Sequence, residues 1–488
     1  MPQLSTILIG LFTLYVISVA IFLIRDNRSP QSTFAWMFLL VGLPVIGVLV
    51  YLFFGRGWRA FSQENKLAKQ NIDGDLAPIL APLHAGQEQV IARLQAEDGP
   101  AYKQKLLRMA SVNASAIVTG YNRVEILQDA QEKYPRLLAD LGQAQQSIHM
   151  EYFIWEADPF TEQLKQVLIE RARAGVAVRI LYDALGSITL SRAYIRALRA
   201  GGVEIEAYLN AFSPFKLHTI GYRNHRKIVV IDGRIGYVGG LNMSEEHLTG
   251  GKQFASWRDT HLRLTGESVA LLQAIFTTSW YNTKEERLAE PHYFPPVEPS
   301  PAGPDYLPIQ IITSGPDSEW AAIRQLYFLM ILDAEDHVYI QSPFFIPDST
   351  IAEALKAAAL AGVDVRLMCA PRGAGNQVPY WAANTYFTDM ARAGVRIFLY
   401  QKGYFHAKTI SIDSAVCSVG TANMDIRSFS INYEVNPVIY DEGVAGELEA
   451  DFVADLADCR EFDLAVYEAS NPLVQLRDSL ARLASPLL

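Results

Sequence analysis

The feature that most constrains this chain is a polar pattern that occurs twice. "NHRKIVVIDG" (224–233) carries His225, Lys227 and Asp232, and "FHAKTISIDS" (405–414) carries His406, Lys408 and Asp413 at the same spacing. The agreement continues downstream. Counted from each histidine, glycine recurs at +14, asparagine at +17 and methionine at +18, as Gly239, Asn242 and Met243 and again as Gly420, Asn423 and Met424. Packing would fix apolar positions and let polar ones drift. Polar groups held at fixed offsets in two copies therefore point to a duplicated functional unit.

Each copy has the same surroundings. "SIHMEYFIW" (147–155), "PFTEQLKQVLIERARAG" (159–175) and "VAVRILYDA" (176–184) read as strand, helix, strand, and the order returns in "HVYIQSPFFI" (337–346), "DSTIAEALKAAALAG" (348–362) and "VDVRLMCAP" (363–371). Such units predict a parallel-rich α/β sheet. Residues 290–308 hold seven prolines and read as a linker, since proline at that density continues neither helix nor sheet. The expected halves are 120–289 and 309–488.

On a strand, residues two apart share a face, so His and Lys of each copy project together. Asp232 and Asp413 lie an odd number of positions from both, where Asp-Gly suggests a hairpin turn, and structural or electrostatic support is their expected part. Two half-sites facing each other across a pseudo-twofold axis supply two imidazoles and two ammonium groups. That set suits a phosphodiester. One neutral histidine attacks phosphorus, the other protonates the leaving oxygen, and the lysines hold the non-bridging oxygens. Phosphate contact and turn capping are open alternatives for Asn242 and Asn423. Fixed ammonium charges can do the work of a divalent metal, and no HExxH pattern or acidic ligand cluster stands out, so no metal and no other cofactor is expected.

Charge narrows the substrate. A net charge of −10 gives no reason to expect nucleic acid, and an anionic substrate must be drawn by the local cations. The three cysteines, Cys369, Cys417 and Cys459, are far apart and read as buried small hydrophobes in a reducing compartment.

The N-terminus points to lipid. Residues 5–24 contain no charged side chain, and a second apolar run, 34–55, is interrupted only by Pro44 and a few glycines. About 20 apolar residues match a hydrocarbon core of roughly 30 Å, so 1–56 reads as two transmembrane helices. A signal peptide is disfavoured, because the first run lacks a basic leading region. Arg25 and Arg28 lie in the short connection, against Arg56, Arg59, Lys66 and Lys69 after the second run, which places the remainder in the cytoplasm. Residues 57–119 read as a connecting region, lying on the membrane or packed on the globular part.

Twice His-x-Lys-x4-Asp, each followed by Gly and Asn, resembles the phospholipase D superfamily. With two N-terminal spans and a tail ending "SPLL", the chain is similar along essentially its whole length to the bacterial cardiolipin synthases of the phospholipase D type. The resemblance implies duplicated α/β/α sandwich domains with a pseudo-twofold active site and a multi-pass location in the bacterial inner membrane. It implies transfer of a phosphatidyl group between two phosphatidylglycerols, with release of glycerol, through a phosphatidyl-histidine. His225 would be the nucleophile and His406 the acid and then base, with the reverse open. Lys227, Lys408, Asn242 and Asn423 would bind phosphate. An acidic residue braces each histidine in the family; Glu434 in "NYEVN" is the second-half candidate and Asp259 in "SWRDTH" the first-half one. Their offsets, 28 and 34, require a longer loop in the first half.

Three alternatives stand beside this reading. They are a lipid hydrolase of the same superfamily, a synthase using phosphatidylethanolamine or another alcohol, and a non-catalytic anionic-lipid scaffold. A homodimer is compatible with the sequence, but no motif specifies one. Two further segments are expected to matter. Phe212, Phe215, Lys216 and Leu217 form an apolar-basic loop that either dips into the membrane or folds onto its domain. Leu473, Leu476, Leu480 and Leu483 form a helical stripe expected to dock on the core.

Overall fold

A computed structural model describes residues 2–25, 30–51, 59–96, 99–208, 221–297, 306–373 and 375–485, with the side chains of 2–9, 31, 49 and 59–71 excepted. The loop containing Phe212, Phe215, Lys216 and Leu217 lies outside the described residues. So do Arg28 and Arg56, and the side chains of Arg59, Lys66 and Lys69, on which the orientation expectation rests.

The duplication is built as one continuous 16-stranded sheet. At its centre Val118–Gln128 pairs antiparallel with Tyr306–Ser314, the first strand of each half. Outward from that seam the halves repeat one order. In the first half Thr260–Gly266, Ile235–Gly239, Ile228–Ile231, Ser147–Tyr152, Ala177–Asp183 and Glu204–Tyr208 follow; in the second, Asn432–Ile439, Val416–Val419, Thr409–Ile412, His337–Gln341, Asp364–Cys369 and Arg396–Tyr400. The last three strands named for each half run parallel, joined by helices such as Pro159–Arg173 and Ser349–Leu360, as the strand–helix–strand pattern predicts, and Cys459–Glu461 adds an antiparallel edge to the second half. The proline-rich linker ends earlier than its composition suggests. Pro308 lies inside the strand Tyr306–Ser314, at the register shift opposite Thr119 and Tyr121, where a missing N–H breaks no regular ladder bond.

The connecting region packs on the globular part. In the helix Arg59–Ala96, Ile72 and Leu76 bury against Phe276 and Trp280 of the first half. Val90, Leu94, Leu106 and Leu107 enter the core of the second half. At the N-terminus the chain forms helices Pro2–Arg25, Pro30–Gly42 and Pro44–Val50. The second apolar run thus breaks at Pro44, which has no N–H to continue a helix. Among the described residues no helix is long and apolar enough to cross a membrane.

The C-terminal stripe requires a correction. Helix Pro472–Arg482 docks on Val378–Arg392 by its polar face: Asn384 Nδ2 donates to Asp478, and Arg482 pairs with Asp389. Leu473, Leu476, Leu480 and Leu483 face outward, 55–78% exposed. Cys369 and Cys417 are buried and Cys459 half-buried, all three as free thiols.

Candidate active site

Each motif histidine stands just before a short strand, Ile228–Ile231 or Thr409–Ile412, beside the central seam. Two small parallel pairings that cross between the halves then decide what it meets. Arg223–Asn224 pairs with the second-half strand Asn432–Ile439, Tyr433 opposite Asn224, which brings His225 level with Glu434. Tyr404–Phe405 pairs with Trp257–Arg258 of the first half, which brings His406 level with Asp259. His225 Nδ1 lies 2.9 and 3.0 Å from the two Glu434 carboxylate oxygens, and His406 Nδ1 lies 2.7 Å from Asp259 Oδ2.

This corrects the pairing within each half that the sequence offsets suggested. Each carboxylate serves the histidine of the other half, because the chain carries each histidine across the seam. The longer first-half segment lies between Asn242 and Asp259, where the helix Glu246–Thr249 and the turn at Gly250 and Gly251 sit.

All four groups are buried, and both carboxylates are fully so. Burial lowers the His225 pKa to about 4, with Lys227 and Lys408 adding to the effect and Glu434 opposing it. Burial likewise lowers His406 to about 3, with Lys408 assisting. Both imidazoles are therefore neutral at pH 7. Donation of Nδ1–H to the carboxylate leaves the lone pair on Nε2 of each ring; at His406, Nδ1 also has Lys408 Nζ 3.0 Å away. Burial acts to raise Asp259, but Lys408 and His406 outweigh it and hold the acid near 2. Glu434 is lowered in the same way by His225 and Lys227 against the effect of its burial.

The lysines sit behind the histidines. Lys227 Nζ donates to the His225 carbonyl at 2.7 Å, and Lys408 Nζ to the His406 carbonyl. Burial lowers Lys227 to about 7 and Lys408 to about 8. Glu434 and Asp259 oppose that burial effect at both lysines, and an anion brought beside them would favour the ammonium form further.

Asp232 and Asp413, which complete the His-Lys-Asp sets, are not at the site and take the structural part expected of them. Each ends its strand, roughly 16 Å along the chain from its lysine. Asp232 accepts from the backbone N–H groups of Gln145, Gln146 and Ser147, and Asp413 from those of Glu335, Asp336 and His337, at 2.7–2.9 Å. Each thus ties the hairpin to the start of the neighbouring strand. Asp232 and Gly233 have φ of 52° and 63°, and Asp413 and Ser414 have 51° and 48°, the positive values that a two-residue hairpin turn needs.

His225 and His406 line one cavity of about 340 Å³. Asn242 also lines it, accepting from Ile154 N–H at 3.2 Å. Asn423, its counterpart, donates to Asp425 Oδ2 at 3.2 Å and leaves its buried Oδ1 without a partner among the described residues. Opposite walls come from Phe153, Ile154, Glu156, Ser244, Glu246, His247 and Trp257 of the first half, and from Phe344, Gly373, Gly375, Asn376, Pro379, Tyr380 and Tyr404 of the second. The motif pattern pointed to none of these wall residues. Superposing the two halves beyond the motif, position by position, was the available signal. No group of three or more His, Cys, Asp or Glu is placed to hold a metal ion among the described residues.

Comparison with known proteins agrees with this geometry. A family model described as "Cardiolipin synthase, PLD-like domain" matches residues 137–280 and 327–456, and "Phospholipase_D-nuclease N-terminal" matches 12–56. The chain is 40% identical to a cardiolipin synthase of Geobacillus kaustophilus, over 99% of this chain and 94% of that one. It is 38% identical to the major cardiolipin synthase ClsA of Bacillus subtilis over the full length of both. Among solved structures, the phosphatidylserine synthase of Haemophilus influenzae covers 79% of this chain and all of its own, with a TM-score of 0.60 at 13% identity, a likeness of fold.

Proposed function

Since the chain belongs to the phospholipase D-like cardiolipin synthases, we propose that it joins two phosphatidylglycerols into cardiolipin and glycerol with the paired histidines as its reacting groups. It is a phosphatidyltransferase acting on phospholipid, and the family is membrane-associated. The observation that carries the mechanism is the crossed bracing, which holds two neutral imidazoles in one cavity with two buried lysines behind them.

The phosphodiester enters with its non-bridging oxygens toward Lys227, Lys408 and the two asparagines. Its negative charge favours the ammonium form of the lysines and protonation of one imidazole. Nε2 of His225 attacks phosphorus. The P–N bond forms, the P–O bond to glycerol breaks, and His406 gives its proton to the departing oxygen. A second phosphatidylglycerol then offers a hydroxyl. His406 takes back the proton, the new P–O bond forms and the P–N bond breaks. Glu434 and Asp259 hold each ring in one tautomer and stabilise its charged form.

The two apolar N-terminal runs are the proposed anchor, spanning the membrane and keeping the cavity near the bilayer. Support comes from the charge-free run 5–24 and from the exposed apolar side chains Leu11, Leu14, Ile17, Ile21 and Ile24 on the first helix. The test is mass spectrometry of lipids after the purified chain is incubated with phosphatidylglycerol alone in mixed micelles. Cardiolipin with equimolar glycerol is expected. Phosphatidic acid with glycerol would make the chain a hydrolase and overturn the transfer reading.

A further inference from the structure

The catalytic cavity has one wall that the phosphate chemistry leaves unused. Residues 154–156 run beside 242–244, with Trp155 bridged to Met243 and Glu156 N–H donating to the Met243 carbonyl at 3.0 Å. This brings Glu156 beside Ser244, whose hydroxyl donates to Glu156 Oε2 at 2.9 Å and accepts from Glu246 N–H at 3.2 Å. The short helix Glu246–Thr249 then turns Glu246 and His247 to the same cavity. Neither Glu156 nor Glu246 makes an ion pair with a described residue. His247 is 4% exposed, and its Nδ1 is buried with no hydrogen-bond partner.

A carboxylate wall is a puzzle in a site built for an anion. Two free acids repel a phosphodiester, so the phosphate cannot lie against them. What fits is an uncharged group rich in hydroxyls. A vicinal diol offers two O–H donors to acceptor-only carboxylates, and lone pairs or a donor to a neutral imidazole and a serine. Burial, and then the nearby Glu156, raise the Glu246 pKa.

The second half supplies the contrast. There Phe345–Ile346 pairs with Met424–Asp425 as Trp155 bridges Met243, so Ile346 stands where Glu156 does. Counting from the histidines, Asp425, Arg427 and Ser428 stand in the places of Ser244, Glu246 and His247. The set of two glutamates with a serine and a histidine therefore occurs in the first half alone.

It also lies on one side. The His247 ring is 6.2 Å from that of His406, and Glu246 acts electrostatically on Tyr404, two residues before His406.

We infer that Glu156, Ser244, Glu246 and His247 form the subsite for the glycerol headgroup. The inference rests on the transfer reading above. It explains why the halves are not interchangeable. A headgroup seated there turns the scissile oxygen toward His406 and leaves the opposite face of phosphorus to His225. Because the acceptor hydroxyl is also a glycerol hydroxyl, the same wall receives it when the first glycerol has left. These residues select and orient; the histidines react.

The test uses the full chain in phosphatidylglycerol micelles with deuterated glycerol and 1-propanol present together. Transfer to glycerol appears as labelled phosphatidylglycerol, and transfer to propanol as phosphatidylpropanol. Their ratio is independent of how much enzyme is folded. E156Q and E246Q are expected to lower the glycerol-to-propanol ratio on the order of tenfold, with S244A in the same direction but smaller. An unchanged ratio in both acid variants, with phosphatidylpropanol still forming, overturns the subsite and leaves the transfer reading standing. If ethanolamine replaces glycerol in the mixture and the variants lose transfer to it alone, the wall is an ammonium site and the inference falls. A wild-type chain that forms no adduct with any alcohol overturns both readings.

Discussion

The two halves share one strand order, one hairpin turn and one His-x-Lys pair, yet they differ in the acid that braces each histidine and in what stands beside that acid. His406 is braced by Asp259, a short acid whose neighbour is Gly240. His225 is braced by Glu434, which also accepts from the Thr421 hydroxyl at 2.5 Å and from Asn432 at 3.2 Å. Gly240 and Thr421 stand at the same offset from their motif histidines. A symmetric scaffold thus holds an asymmetric pair. In-line displacement at phosphorus requires attack on one face and departure from the other, so two equal imidazoles must be made unequal by what surrounds them.

The largest test of that inequality is removal of each imidazole. H225A and H406A should each lower cardiolipin formation by at least about 10³-fold. A phosphatidyl ester of a nitrophenol needs no proton on its leaving group. With it, H406A should accumulate a covalent phosphatidyl-enzyme visible as a mass increase, and H225A should not. The opposite pattern would exchange the two roles and with them the reading of the headgroup wall.

The bracing acids come next. E434Q and D259N should each cost about 10²–10³-fold, with E434Q slowing formation of the covalent intermediate and D259N its chemistry at the leaving group. The smaller neighbours separate the halves further. A Cβ at Gly240 would meet Asp259 Oδ1 at 2.0 Å, so G240A should reproduce D259N. T421A removes one hydrogen bond to Glu434 and should cost about tenfold or less. Equal losses in G240A and T421A would break the asymmetry argued here.

Much of this is legible in the amino-acid sequence, and for a physical reason. His225 with Lys227, and His406 with Lys408, lead into a strand, and the strand-like spacing of two residues survives in both copies. The strand–helix–strand units were legible through hydrophobic period. The crossed bracing was not. It depends on two-residue pairings, Arg223–Asn224 with Asn432–Ile439 and Tyr404–Phe405 with Trp257–Arg258, that join segments far apart in sequence and leave no periodic trace. Asp232 and Asp413 were legible as turn residues from their odd offset and, at Asp232, from Asp-Gly, but the backbone N–H groups they collect were invisible to side-chain pattern. The outward leucines of Pro472–Arg482 show the limit of a stripe, since a helix can dock by Asp478 and Ala481 instead.

The buried cations sharpen the comparison through pH. Folding lowers His225 and His406 well below their unfolded value near 6.5, so between about pH 4 and 6.5 the unfolded chain binds more protons than the folded one. Stability should therefore rise with pH through that window and fall on acidification. Lys227 and Lys408, at about 7 and 8 when folded against 10.5 when free, extend the same sign upward, because here too the unfolded chain holds the extra protons. K227M and K408M should accordingly abolish most activity while raising the melting temperature by a few degrees near pH 7. A lower melting temperature in either variant would mean that the ammonium is needed by the fold and not only by the phosphate.

The smallest effects are expected where the halves agree most closely. Asp232 and Asp413 each collect three backbone N–H groups at the head of a neighbouring strand, far from the histidines. D232A and D413A should each destabilise by about 1–3 kcal/mol, since three donors lose a charged acceptor in a half-exposed setting where water replaces part of it. The activity of the molecules that remain folded should stay within about twofold of the original. Denaturant titration with a parallel assay of phosphatidyl transfer separates the two quantities. A loss of turnover in folded D232A but not in folded D413A would show that the two turns, alike in their backbone contacts, do not serve the two histidines equally.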